Sequence, residues 1–164
     1  MSKARVETLT AEQCREVLEY RDGILYRLVA TSNRVKIGDV AGSPNRDGYV
    51  YISINRRLYL RSRLVWLWHH GSWPTNCIDH VNRVTDDDRI ENLRDVTNQQ
   101  NRFNTGARGY YWHKPTQKWL ARIRVNGKSI HIGYYDTKEE ARAAYLAAKA
   151  IYHVIDSPVR ALAI

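Results

Sequence analysis

The stretch IDHVNRVTDDDRIENLRDVTNQQNRFN, residues 78–104, decides the fold. Residues 76–80 predict a strand that delivers Asp79 and His80 to its end. Residues 81–91 are too polar to pack as an element and predict a loop. Leu93, Arg94, Asp95 and Val96 predict the return strand, and Thr97 caps a helix over residues 98–104. Strand, loop, strand, helix sets the helix start beside the end of the first strand, so Asn101, one turn in, is expected to face Asp79. Asn92 follows His80 by twelve residues and Asn101 follows Asn92 by nine. An adjacent carboxylate and imidazole suit metal-assisted hydrolysis. The carboxylate is a hard oxygen ligand for Mg²⁺ or a similar ion, and imidazole takes up protons near neutral pH. Asp86, Asp87 and Asp88 resemble a metal cluster, but three consecutive carboxylates do not all point at one ion, and they are expected to form a solvated acidic loop.

Upstream, Thr10 with Gln13 is a capping box, opening an amphipathic helix that carries Cys14, Val17 and Leu18 on one face and ends at Asp22-Gly23. Ile24, Leu25 and Tyr26 form a short strand, and residues 31–46 are mostly loop. Residues 49–54 and 58–60 form a hairpin around Asn55-Arg56-Arg57. Arg56, Arg57, Arg61 and Arg63 are candidates for phosphate contact. The dense apolar block Leu64-Val65-Trp66-Leu67-Trp68 predicts a short buried helix.

Downstream, residues 106–109 form an expected hinge. Residues 110–113, 118–125 and 129–135 predict three strands, with a turn at 114–117 and Asn126-Gly127 as a second hairpin turn. Thr137 to Glu140 is a capping box ahead of an alanine-rich helix. Ala141, Ala144, Tyr145 and Ala148 make its apolar stripe. Alternation along the strands puts Trp119, Ala121, Ile123 and Val125 on the face toward that helix. The other face exposes Tyr111, His113, Arg122, Arg124, Ser129 and His131. A cationic, aromatic three-stranded face fits a major groove.

The 164 residues suffice for one compact domain or a few very small ones. Twenty-six lysines and arginines against 17 acids give a net charge of +9. With aromatics interleaved among the cations, this favours a nucleic-acid partner. Two distant cysteines and no CxxC pair exclude a cysteine-built zinc site. No signal peptide or membrane-length apolar run is evident, so a cytoplasmic protein with no membrane partner is expected.

Asp79-His80, Asn92 within Glu91-Asn92-Leu93-Arg94, and Asn101 resemble the motif of the HNH, or ββα-metal, endonucleases, and more closely that of phage and intron-encoded homing enzymes. The likeness extends upstream through Asp47-Gly48-Tyr49 and Arg63-Leu64-Val65-Trp66 to Trp73-Pro74. It implies His80 as general base, Asp79 and Asn101 as ligands of one divalent ion, and Asn92 as the residue that fixes the loop and orients His80. Asn104 shares a helix face with Asn101, and spacing favours Asn101. Asparagine, where many members have histidine, suits Mg²⁺ or Mn²⁺ better than Zn²⁺. Ser62 stands where many related phage proteins have histidine. The C-terminal segments Arg108-Gly109-Tyr110, KWLARIR from Lys118, Ile132-Gly133-Tyr134-Tyr135 and Glu140-Ala141 resemble the ethylene-response-factor (Apetala-type) DNA-binding domain.

The expected fold is therefore α+β. An N-terminal helix and hairpin lead into a ββα-metal motif at about 76–104, followed by a three-stranded antiparallel sheet packed on one helix. The expected domains are 1–105, nuclease, and 106–164, DNA-binding. The expected function is a metal-dependent endonuclease acting on double-stranded DNA, with one divalent ion, Mg²⁺ or Mn²⁺, as a monomer or homodimer and with no obligate protein partner. The alternative is a non-catalytic sequence-specific DNA-binding regulator; an RNA-binding protein is a weaker third.

Overall fold

A computed structural model describes residues 8–155 of the chain. Among the described residues the fold is α+β, with four α-helices and several small antiparallel sheets. The chain divides into two compact units between Asp95 and Val96.

In the first unit, α1 (Ala11–Val17) begins at the Thr10–Gln13 capping box, and both reciprocal bonds are made. The helix is shorter than its apolar pattern. Leu18 leaves it in extended geometry and opens β1 (Leu18–Arg21), which pairs with β2 (Ile24–Arg27). Asp22 and Gly23, at φ 45° and 85°, are the hairpin turn rather than the helix stop. A brief β3 (Ser43–Pro44) flanks β4 (Val50–Ile54), and β4 pairs with β5 (Arg57–Leu60) around Asn55 and Arg56, both at positive φ.

The block at Leu64 lies in α2 (Arg61–His70), a full ten residues, with Leu64, Val65, Trp66 and Leu67 buried. These join Cys14, Leu18, Leu25, Ile52 and Leu93 in one core. Two indoles tie it to the N-terminal segment: Trp73 donates to the Leu9 carbonyl (2.9 Å) and Trp68 to that of Leu18 (3.3 Å). Then come β6 (Cys77–His80), the loop of residues 81–91, and a 3₁₀ turn (Ile90–Asn92). The paired strand β7 (Leu93–Val96) crosses the unit boundary.

The second unit opens with α3 (Asn98–Phe103), capped by Thr97 and Gln100. β8 (Tyr110–His113), β9 (Lys118–Val125) and β10 (Lys128–Tyr135) form an antiparallel sheet in the order β10-β9-β8. α4 (Lys138–Tyr152), capped by Thr137 and Glu140, buries Ala141, Tyr145 and Ala148. Tyr145 and Ala148 form a core with Ile123, flanked by Val125, Ile130 and Ile132.

The unit boundary falls ahead of the expected 105/106 division. α3 belongs with the sheet because Gln99 bonds Asn126 and the Phe103 ring stacks on His153 at 3.9 Å. The segment expected to be a hinge is anchored. Arg142 donates to the carbonyls of Ala107 (2.6 Å) and Arg108 (2.8 Å), and Lys149 donates to that of Thr105 (3.1 Å). Gly109, at φ 76°, lies against the Tyr145 ring, where a Cβ has no room. Among the described residues no helix is long and apolar enough to cross a membrane.

Candidate active site

β6 ends as expected at Asp79 and His80, both buried. The Arg94 guanidinium, from the paired strand β7, grips one carboxylate oxygen of Asp79. Its Nε stands 2.8 Å and its Nη2 2.6 Å from Oδ2. Both donors converge on Oδ2, a pair of charge-assisted bonds that holds this oxygen against β7. In the sequence Arg94 stands out only as the last residue of a motif string. Its spacing on the partner strand is the signal that gives it this role.

The loop of residues 81–91 is built around Asn92, which is also buried. Its Nδ2 donates to the Asp87 carbonyl (2.7 Å) and to Asn82 Oδ1 (3.0 Å), and its Oδ1 accepts from the Asn82 amide (3.0 Å). The Val81 amide, next to His80, donates to the Asn92 carbonyl (2.9 Å). One side chain thus ties the start of the loop to its middle. The Asp47-Gly48-Tyr49 turn leans on the same loop. Thr85 Oγ1 donates to the Asp47 carbonyl (3.2 Å), and a Cβ on Gly48 (φ 86°) would meet Thr85 Oγ1 at 2.6 Å. The Tyr49 ring lies 6.1 Å from that of His80.

The three aspartates of this loop do not form the uniform solvated run expected. Asp87 takes paired bonds from Arg89 (Nε and Nη2, each 2.8 Å) and one from Asn82 (2.6 Å). The Arg89 bonds foremost, helped by Asn82, hold its carboxyl well below the usual carboxylate range. Asp88 is only 2% exposed. Its Oδ1 meets His80 Nε2 at 2.7 Å and its Oδ2 accepts from Arg61 Nε at 2.7 Å. Arg61 also donates to the Asp86 carbonyl (2.7 Å), so it is a buried structural cation rather than a phosphate contact. Arg63 likewise turns inward, donating to the Asn76 carbonyl (2.9 Å) and lying over the Trp73 ring. Among the described residues no group of three or more His, Cys, Asp or Glu side chains gathers as a metal site.

Asn101 lies on α3 in the second unit, with its backbone amide bonded to the Thr97 carbonyl (2.9 Å). On the sheet, Tyr111, Arg122, Arg124, Ser129 and His131 are exposed and His113 is half-buried. Register pairs Arg122 with His131 and Arg124 with Ser129. The Arg122 guanidinium lies 4.9 Å from the Tyr111 ring, and Arg124 Nε donates to the Gly127 carbonyl (3.1 Å). His113 Nδ1 contacts Thr116 Oγ1 at 2.8 Å.

Alternation misses one member of this face. The register shifts between His131 and Gly133, so that Gly133 pairs with Ala121 and Tyr134 with Leu120. This bulge carries Tyr134 onto the face of His131. Its exposed ring stands 4.9 Å from His131 and 5.1 Å from His113. Gly133 is the signal, since a glycine inside a strand often marks a bulge.

Residues 59–103 match the family model described as HNH endonuclease. The match runs from β5 through α3 and includes Asp79, His80, Asn92 and Asn101. No curated protein and no solved structure matches the chain.

Proposed function

We propose that the chain is a metal-dependent endonuclease of the homing type, cutting double-stranded DNA at a preferred site. The observation that carries this is the Asp79–His80 pair, buried at the end of β6 inside the HNH-matched stretch. His80 is the general base, taking the proton from the attacking water. The water oxygen then adds in line to the phosphorus as the bond to the 3′-oxygen breaks, and the departing 3′-oxygen takes a proton from solvent, leaving 5′-phosphate and 3′-hydroxyl ends. Asn92 holds the loop that carries the residues around His80. Asp79 and Asn101 offer a carboxylate and an amide oxygen, hard donors that fit Mg²⁺ or Mn²⁺. These are the residues that the motif's resemblance makes the metal ligands, and the ion they would hold would neutralise charge on the scissile phosphate and the leaving oxygen.

The sheet of the second unit is the DNA-contacting surface in this reading, through Tyr111, His113, Arg122, Arg124, Ser129 and His131. Support comes from its exposed cations and aromatics and from the +9 charge of the chain. Its likeness to the ethylene-response-factor domain points the same way. A cationic sheet in a unit of its own also suits a regulator that binds without cutting. Relaxation of supercoiled plasmid with Mg²⁺, and its loss on adding EDTA, tests the nuclease reading. Salt-sensitive gel shifts without cleavage under any divalent ion favour the regulator.

A further inference from the structure

The loop of residues 81–91 buries a charge that the mechanism above does not use. Asp88 is 2% exposed, His80 4% and Arg61 6%. The three form a chain: Arg61 Nε to Asp88 Oδ2 at 2.7 Å, then Asp88 Oδ1 to His80 Nε2 at 2.7 Å. Arg61 is anchored in turn by the Asp86 carbonyl. An ionised carboxylate only accepts hydrogen bonds, and guanidinium only donates. With Arg61 fixing one oxygen, the other accepts from His80, and the imidazole proton must sit on Nε2.

The geometry points to Asp88, pinned by Arg61, as the positioning residue of His80: it holds the ring and fixes its Nε2–H tautomer. Two donors converge on Asp88, one per oxygen, and an amide cannot serve both. In Asp88→Asn the amide oxygen stays with the charged Arg61, and the amide NH₂ turns to His80. Nε2 must then accept, and the proton moves to Nδ1. The ring that acts as the base in the nuclease reading is thereby held in the other tautomer. The same logic makes an aspartate-to-asparagine change costly wherever a carboxylate sets the tautomer of a catalytic histidine. The catalytic consequence rests on the nuclease reading; the tautomer does not.

The test is ¹⁵N–¹H long-range correlation NMR on the full-length labelled protein at pH 8, with His80 assigned by His80→Gln. Nε2–H in the wild type and Nδ1–H in Asp88→Asn are expected. Alongside, Asp88→Asn is expected to lower kcat on the order of 10–100-fold, as losses of such supporting bonds do. KM for DNA is expected to stay within about twofold, since Asp88, 2% exposed, is buried out of a substrate's reach. Nδ1–H in the wild type overturns the inference, and that measurement needs no variant to fold. An unchanged tautomer in a folded Asp88→Asn, or a KM effect without a kcat effect, overturns it too. A wild type with the Nε2–H tautomer that cuts no DNA overturns the nuclease reading alone.

Discussion

Asp88 and Asp87 are neighbours with the same side chain and different physical situations. Asp88 neutralises a guanidinium that is almost wholly buried. Asp88→Ala leaves Arg61 buried without its counter-charge, and breaking such a pair costs about 3–5 kcal/mol. Urea unfolding should show that loss in the midpoint, whereas Asp86→Ala, at an exposed side chain, should stay within about 0.5 kcal/mol. Asp87 is partly exposed and bonded to Arg89. Its carboxyl is depressed in the fold, so its stabilisation is fully present above the unfolded carboxylate value of about 4 and is lost as pH falls below it. Between about pH 5 and pH 2 the wild type should therefore lose more stability than Asp87→Asn, with the two curves converging in acid. None of this is legible in the string DDD. Composition gives three acids; only the path of the loop past Arg61 and His80 separates them. Asp79, His80 and Asn92, by contrast, stand out in the sequence, and the fold brings these three together around one strand end and its loop.

Among the helices and strands, local chemistry is a faithful guide wherever a cap or turn decides the outcome. The boxes at Thr10 and Thr137, the Thr97 cap and the Asn126-Gly127 turn all stand where the sequence places them. Pattern misleads where two periods compete. Leu18 continues the helical apolar face of Cys14, yet it packs equally well as the first residue of a strand, and pairing with Arg27 wins. The bulge in β10 likewise breaks the alternation that assigns faces. The segment before β8 shows the converse error, for its glycines suggest freedom and its hydrogen bonds deny it. Gly109→Ala must displace the Tyr145 ring and adopt a positive φ, so it should destabilise the second unit by roughly 2–4 kcal/mol. Hydrogen exchange should show the loss in β8–β10 and α4, with the α2 core unchanged; uniform loss of protection across both units would count against it.

Across the whole chain, the proposed nuclease divides its work between two compact units: one carries the Asp79–His80 pair, the other the exposed cationic sheet. On the proposed reading, the charge of +9 makes affinity for duplex DNA salt-dependent. Arg122→Ala should reduce the slope of log K against log salt by about one, if the arginine meets a phosphate. Tyr134→Ala should weaken binding with little change in slope, because it removes an uncharged contact on the same face. Fluorescence anisotropy at several salt concentrations separates the two; equal effects on slope would remove the sheet from the interface. The role of His80 as the base is decided by comparing wild type and His80→Ala for binding and for cutting on the same supercoiled DNA with Mg²⁺. Unchanged binding, cleavage by the wild type only, and ligatable 5′-phosphate ends are expected. Equal cleavage by both proteins would refute that role, since the water would then have a base other than His80.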